Sequence, residues 1–272
     1  MPGRATPDWT AVYRCHVTGI EAYEARWRRE ASPEHFHPTW QVTLGLSGHA
    51  AIRHLGRARV VPPGEPFVFR PWEPHAIGPA GRSTWHFLSV HLADEHVARS
   101  PATNGTTGRM RATHLKAAIA ATFRAVRRGR GVEQAVALLA AWLASCAGSL
   151  PEGRPAPDPM VLAARDQLLA HLDRRVTVAE LARAVGTSPG KLARAFRAAV
   201  GLSPHAFHIQ ARIHRAKALL AGGTALAEVA AETGFVDQAH FTRHFARLVR
   251  TPPGRWRSGG RNVQDRRRRR AR

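Results

Sequence analysis

Two helical segments near the C-terminus carry polar side chains that can hydrogen-bond to DNA bases. Arg194 lies in the first segment and Arg243 in the second, each between two apolar residues that we predict to be buried. An arginine guanidinium can donate two parallel hydrogen bonds to guanine, and the amide of Gln238 can pair in the same way with adenine. Either arginine could instead clamp a phosphate, which positions a protein on DNA without specifying a sequence.

These segments belong to a pattern that the chain contains twice. Ala179–Ala182 and then Gly186 in the first copy correspond to Ala227–Ala230 and then Gly234 in the second. The copies are offset by 48 residues up to the glycine and by 49 after it, so the second turn contains one extra residue. Each copy predicts a short helix, a tight turn at glycine and a second helix. That arrangement is a helix-turn-helix, which lays its second helix in the DNA major groove.

Capping residues mark where these helices begin. Thr177 and Glu180 have the spacing of a capping box. Ser188 and Ser203 each precede a proline, and this pair of residues favours an N-cap followed by the first helical position. Asp237 can cap the second recognition helix.

The helix predicted at Pro204–Leu220 connects the two units. It spans about 25 Å and can hold the recognition helices about one DNA turn, roughly 34 Å, apart, so a monomer could read two successive major grooves. The residues that we predict to bind DNA are Lys191, Arg194, Gln238, Ala239, His240 and Arg243. Because Gly190 and Ala193 are too small to share in base readout, we expect the second unit to discriminate between sequences more than the first.

The charge distribution supports contact with phosphates. The chain has 272 residues and a formal net charge of +22. Residues 1–150 hold 18 Lys and Arg against 10 Asp and Glu, whereas residues 151–272 hold 23 against 9. The basic excess therefore leans toward the half with the repeated pattern, as expected of a DNA-binding face. Arg266–Arg270 are five consecutive arginines, and we expect that tail to be disordered and to attract DNA non-specifically.

About 100 C-terminal residues resemble the AraC family of bacterial transcription regulators. The residues that carry the resemblance are Ala218-Leu219-Leu220, Glu228-Val229-Ala230, Gly234-Phe235, Asp237-Gln238-Ala239-His240-Phe241, Arg243-His244-Phe245 and Pro253 with Trp256-Arg257. The resemblance implies that Arg194 and Arg243 occupy base-contacting positions. It also implies a regulator of transcription whose partner is double-stranded DNA, with RNA polymerase and a second copy of the chain as further candidates.

The N-terminal half has the pattern of a small β-structure. Short β-rich runs, cut by Gly and Pro, predict strands at Thr39–Leu46, Ala50–His54, Arg57–Val61, Phe67–Arg70 and Trp85–Leu92. Such runs favour a β-sandwich or a barrel. Two amphipathic helices follow, near Met110–Arg128 and Val132–Ala147, whose apolar stripes could pack on their own domain or form a dimer seam.

A set of histidines in this half resembles the two cupin motifs. His35-x-His37 and Gln41 share parity on a predicted strand, and His75 follows Gly56 and Pro62-x-Gly64. Metal-binding cupins use imidazoles with a carboxylate, but Gln41 replaces the carboxylate and Phe67 stands where the second motif normally has its histidine. We therefore expect no metal, and a barrel interior that binds a small-molecule effector near Trp40 or Trp72. The predicted effector-binding residues are His35, His37, Gln41, His75 and His86.

The remaining composition favours a cytoplasmic protein. Cys15 and Cys146 are the only cysteines, with no C-x-x-C spacing, which argues against a disulfide framework or a zinc site. The N-terminus has no apolar stretch of a signal peptide, and no apolar run reaches 18 residues. We expect neither membrane association nor a cofactor.

Together these patterns predict an α+β chain of two domains. A cupin-like β-barrel followed by two helices occupies residues 1–148, a Pro-rich linker residues 149–158, an all-α domain with two helix-turn-helix units residues 159–257, and a basic tail residues 258–272. The function predicted is an effector-controlled, sequence-specific DNA-binding regulator that is not an enzyme. Two alternatives stay open: a metal-dependent cupin enzyme fused to a DNA-binding module, and a constitutive DNA-binding protein with a vestigial pocket.

Overall fold

The computed structural model describes residues 9–15, 20–28, 31–54, 56–81, 83–100, 108–146, 158–249 and 251–262. The described residues form two compact units. The first unit covers residues up to 33, residues 37–151 and the chain from 259 onward, whereas the second covers Glu34–Phe36 and residues 152–258. The predicted linker at 149–158 lies outside the described residues except for Asp158.

The strands of the first unit form two sheets. They are β1 (Trp9–Cys15), β2 (Ile20–Trp27), β3 (Trp40–Ser47), β4 (Ala50–His54), β5 (Arg57–Val61), β6 (Pro66–Phe69), β7 (His75–Pro79), β8 (Trp85–Leu92) and β9 (Gly260–Asn262). One sheet has six strands in the order β6-β3-β8-β2-β1-β9, and the other has three in the order β5-β4-β7. The described strands thus make two separate sheets, and the predicted closed barrel is wrong in this respect.

The two faces of the six-stranded sheet pack against different partners. Side chains alternate along a strand, so Leu88 and Val90 of β8 face one side while Trp85 and Phe87 face the other. Leu88 and Val90 belong to an apolar core with the helices α2 (Gly108–Arg128) and α3 (Val132–Cys146). Trp85 and Phe87 belong to a second core with residues of the three-stranded sheet, such as Ile52. A short helix, α1 (Asp94–Ala98), follows β8.

The second unit is helical. Its helices are α4 (Pro159–Ala170), α5 (Val178–Ala184), α6 (Pro189–Val200), α7 (Pro204–Ala221), α8 (Leu226–Glu232), α9 (Gln238–Val249) and α10 (Pro253–Gly259). The pairs α5–α6 and α8–α9 are the two predicted helix-turn-helix units. Turn residues Gly186 and Gly234 have φ of 68° and 67°, a backbone region that favours glycine.

The predicted caps are confirmed. Thr177 and Glu180 form both hydrogen bonds of a capping box at the start of α5. Ser188 accepts from the Lys191 N–H at the start of α6, and Ser203 does the same for Ala206 in α7. The Asp237 carboxylate accepts from the His240 N–H at 2.6 Å, which caps α9. These bonds satisfy backbone donors that a helix start leaves unpaired.

Glu34–Phe36 from the N-terminal half belong to the second unit, and Phe36 lies in its core. The Phe36 side chain is fully buried and stacks on Phe207 of α7. Its N–H donates to Gln210 Oε1 at 3.0 Å, and its carbonyl accepts from His214 Nε2 at 2.8 Å. The Gln210 amide in turn donates to the Glu34 carbonyl at 2.9 Å. Phe36 is therefore a core residue of this unit despite its place in the sequence.

Ordered structure continues into the region predicted to be a disordered tail. Residues 258 and 259 belong to α10, and β9 pairs in parallel with β1, with Val12 opposite Gly260 and Arg14 opposite Asn262. That part of the tail prediction is wrong, and the arginine run lies outside the described residues. Among the described helices, none is long and apolar enough to cross a membrane.

Candidate DNA-binding and ligand-binding sites

The first recognition helix, α6, presents two cations to solvent. Lys191 and Arg194 are both exposed, while Leu192 and Phe196 are fully buried against the rest of the unit. Gly190 beside them adds no side chain. The exposed face of α6 can therefore donate hydrogen bonds from two long, flexible side chains, which suits phosphate oxygens as well as bases.

The second recognition helix, α9, presents a more varied surface. Gln238, Ala239 and Arg243 are exposed, and Phe241 and Phe245 are fully buried. This face offers an amide with donor and acceptor groups, a methyl group and a guanidinium. The mixture can distinguish base pairs by their hydrogen-bond patterns and by the thymine methyl group.

His240 departs from the sequence prediction because it is only half-exposed. Its Nε2 lies 3.0 Å from His244 Nε2, and its ring packs on Phe235. Burial lowers the pKa of His244, and the neighbouring His240 lowers it further. One imidazole must donate and the other accept in this bond, so the accepting nitrogen carries no proton, and His240 is turned toward the protein.

Helix α7, which connects the two helix-turn-helix units, contains buried polar side chains. His208 of α7 is buried, and its Nε2 donates to the His171 carbonyl at 2.9 Å. Burial lowers the pKa of His208 to about 4, with a contribution from Arg212. Arg212 is also buried and lies over the Phe235 ring at 5.8 Å. Packing of α7 therefore depends on a neutral His208 beside a guanidinium.

Three of the predicted effector-binding histidines come together. His35, His37 and His75 each offer a ring nitrogen, and these atoms all lie within 4.8 Å of one another. The expected shared strand is wrong, because β3 begins at Trp40 and only Gln41 lies on it. His35 and His37 sit in the segment before β3 instead.

His75 is the most enclosed member of this group. It is buried at the start of β7, where its ring stacks on Phe69 with centroids 3.8 Å apart. Its Nδ1 lies 2.8 Å from the Glu73 carbonyl. A donor at Nδ1 leaves the lone pair on Nε2, so the imidazole can accept a hydrogen bond or bind a metal there.

A polar row crosses strands β3 and β8 beside these histidines. Gln41 lies opposite His91 and Thr43 opposite Ser89 in the sheet. The hydroxyls of Thr43 and Ser89 are 2.9 Å apart, and Ser89 Oγ lies 3.3 Å from His91 Nε2. The His91 ring in turn meets that of His37 edge to face, with centroids 4.5 Å apart.

The row also contains an unused acceptor. Gln41 Nε2 donates to Thr43 Oγ1 at 3.3 Å, whereas Gln41 Oε1 is buried and makes no hydrogen bond with the described residues. Sequence reasoning missed His91, Ser89 and Thr43. The signal for them is the run Trp85, Phe87, Ser89 and His91, which shares one face of β8 and changes from apolar to polar along the strand.

Two residues that the sequence predicted near the effector lie away from the group of His35, His37 and His75. His86 alternates to the other face of β8, where its Nε2 is 3.2 Å from Glu24 Oε1. Trp40 packs in the core with the helices, and its indole N–H donates to Asp94 at 2.7 Å. Trp72 stays close, since its backbone N–H donates to the His37 carbonyl at 2.7 Å.

Comparison with known proteins matches both halves of the chain. A family model described as an AraC-like ligand binding domain matches residues 17–144, and a helix-turn-helix domain model matches residues 181–259. The arabinose operon regulatory protein of Escherichia coli (strain K12) is 27% identical over 233 residues, which cover 80% of each chain.

Another relative matches over a shorter segment. The HTH-type transcriptional regulator MtrA of Neisseria gonorrhoeae is 32% identical over 105 residues. That match covers 35% of this chain, and the chain spans about a third (35%) of MtrA.

Among solved structures, ToxT from Vibrio cholerae O395 has a similar fold. Its TM-score is 0.59 at 10% identity, with 93% of this chain and 97% of ToxT covered. The two matched domain models, the tandem helix-turn-helix units and the relatives all indicate the same family. The chain belongs to the AraC family and is a DNA-binding transcription regulator with a ligand-binding domain.

Proposed function

We propose that α9 reads the DNA sequence and that α6 mainly anchors the protein on the backbone. The observation that carries this proposal is the difference between their exposed faces: Gln238, Ala239 and Arg243 on α9 against Lys191 and Arg194 on α6. Bidentate donors and a methyl group can distinguish bases, whereas isolated cations hold phosphates. His240 contributes less than its sequence position suggests, because it is paired with His244.

Selection of DNA from a random duplex library by the purified chain tests this proposal. We expect a bound site with two contacted segments, of which one is strongly constrained in sequence and the other weakly. Arg243→Ala should relax the constrained segment, and Arg194→Ala should weaken binding with little change in preference. Stronger sequence information in the segment contacted by α6 would overturn the assignment.

For the sensor, we propose a pocket between the two sheets that binds a small polar molecule. Its members within the first unit are His37, Gln41 and His75, together with Ser89 and His91, and the sequence-based choice of His86 is replaced. Support comes from the buried Gln41 Oε1, because an unsatisfied buried acceptor costs free energy that a ligand donor would recover.

Thermal denaturation of the full chain across a metabolite library tests the pocket. A ligand that binds the native state raises the unfolding temperature by mass action. Gln41→Leu should remove that shift, and His86→Ala, on the opposite face of β8, should keep it. A constitutive DNA-binding protein would show no shift with any compound. Loss of the shift in His86→Ala would place the ligand outside the proposed pocket.

Three further features of the regulator belong to this proposal. The domains follow the two units, with the boundary in the Pro-rich segment at 149–158. The exposed side of α3, which includes Leu138 at 67% exposure, is the surface that we assign to a homodimer. RNA polymerase is the partner through which a DNA-bound regulator of this kind would act, and a cytoplasmic location follows from DNA as the target.

A further inference from the structure

The second helix-turn-helix contains one residue that the first lacks. In the first helix-turn-helix, the helix cap Ser188 follows Gly186 by two positions. In the second helix-turn-helix, the cap Asp237 follows Gly234 by three. This extra residue is the cause of the offset between the two copies in the sequence.

Backbone hydrogen bonds identify the extra residue. The Thr187 N–H donates to the Ala182 carbonyl at 2.8 Å, and the Phe235 N–H donates to the Ala230 carbonyl at 2.9 Å. The two turns are therefore equivalent up to Thr187 and Phe235. Because Ser188 and Asp237 are equivalent as caps, Val236 is the residue without a counterpart.

The fold makes little use of the Val236 side chain. It is 87% exposed, the most exposed of the large apolar side chains that the structure describes. A residue just before an N-cap often packs on the fourth helical residue, which here is Phe241. Phe235 makes that contact instead, with ring centroids 5.5 Å apart.

Val236 is nevertheless placed at the end of α9 that reads bases. It directly precedes the cap Asp237, and the exposed residues Ala239 and Arg243 follow within the first two turns of α9. The N-terminal residues of a recognition helix contact base edges in the major groove. Thymine presents a methyl group there, and apolar side chains recognise it by contact.

We propose that Val236 contacts the C5 methyl group of a thymine and thereby specifies one T·A pair. The inference rests on the proposed reading of DNA by α9. It assigns a role to the residue that the first helix-turn-helix lacks and that the fold leaves exposed. The second unit then reads methyl groups as well as hydrogen-bond donors and acceptors.

Replacement of thymine by deoxyuridine tests this contact, because it removes only the methyl group. The probe is the duplex that the purified full chain selects from a random library, with each thymine replaced in turn. We expect a position at which the wild-type chain binds deoxyuridine about fourfold more weakly, as for one buried methyl group, and at which the difference depends on Val236. Val236→Ser should bind both duplexes equally well.

Matched variants make the result specific. Val60→Ser makes the same change at another exposed valine, on β5, and should keep the fourfold ratio. Each protein serves as its own reference, so the ratio does not depend on how much of a variant is folded.

The outcomes separate this inference from the proposal on which it rests. A chain that selects no sequence overturns both. A chain that selects a site but binds thymine and deoxyuridine equally at every position overturns the valine contact alone. The same follows if Val236→Ser keeps the ratio.

Discussion

The ring of Phe36 stacks on that of Phe207 with centroids 4.7 Å apart and planes inclined by 26°. The two residues are 171 positions apart in the sequence, yet both belong to the helical unit. Hydrogen bonds to Gln210 and His214 hold the Phe36 backbone on both sides. The segment at 34–36 thus belongs to the helical unit although it is far from that unit in the sequence.

Phe36→Ala should destabilise the helical unit. Removing a fully buried phenylalanine leaves a cavity, and we expect a loss of about 3 kcal/mol or more in unfolding free energy. Urea denaturation of the full chain, followed by circular dichroism at the helix signal, measures it. Phe36→Leu keeps most of the apolar volume and should lose less, so equal losses would argue against the packing described.

Stability of the helical unit should fall in mild acid. Burial lowers the pKa of His208 to about 4 from its usual 6.5, so the folded state prefers the neutral ring. This contribution is complete above pH 6.5 and is lost as the pH falls toward 4, because the unfolded chain binds the proton first. Burial also lowers the pKa values of His205 and His244, which act in the same direction.

Urea midpoints measured between pH 8 and pH 4 test this dependence (roughly the range of histidine titration). His208→Gln keeps a donor for the His171 carbonyl and cannot be protonated, so its stability should vary less with pH. An unchanged pH profile in that variant would exclude His208 as a source.

Arg243→Ala and Lys191→Ala should differ in how they weaken DNA binding. Loss of a bidentate base contact should cost about tenfold or more for the selected site and little for random DNA. Loss of a phosphate contact should weaken binding to both and reduce the salt dependence by about one unit of slope. Fluorescence anisotropy at several salt concentrations distinguishes the two effects, and identical salt slopes for both variants would contradict the division of roles.

The purified protein should contain no stoichiometric metal. Three imidazoles converge, but the position that a metal-binding cupin fills with a carboxylate holds the neutral amide of Gln41, a weaker ligand. Elemental analysis of protein purified without chelator measures the content. Stoichiometric iron, manganese or nickel together with redox turnover would favour the metal-dependent enzyme instead.

Removal of residues 263–272 should lower DNA affinity evenly across sequences. The segment contains six arginines and one aspartate, and its deletion leaves β9 intact. Counterion release predicts a weaker salt dependence with unchanged preference. Repeating the DNA selection with the shortened chain checks this, and a new preferred sequence would show that the tail takes part in readout.

Local signals in the sequence predicted the helical unit well. Caps such as Thr177 and Asp237 act on donors within the same turn, and the burial of Phe241 and Phe245 follows from helical periodicity. The exposure of Gln238 and Arg243 follows from the same periodicity. His240 was misjudged because its partner, His244, is set by side-chain packing on Phe235 rather than by spacing.

Long-range pairing explains what the sequence did not predict. His91 lies beside His37 because β3 and β8 pair with Gln41 opposite His91, and that register joins residues 50 positions apart. The sequence did not predict that His86 lies on the face of β8 opposite to His91. Which face of β8 meets the three-stranded sheet depends on the same strand pairing. The core position of Phe36 likewise depends on α7, far along the chain.

The two unequal helix-turn-helix units give this protein a direction on DNA. Regulators that bind as symmetric dimers match palindromic half-sites, and turning such a site around changes nothing. In this chain a face with Gln238 and Arg243 follows a face with Lys191 and Arg194 on one polypeptide. The segment that one copy contacts should lack dyad symmetry, so inverting that segment beside a promoter would present the opposite side of the bound copy to the transcription machinery.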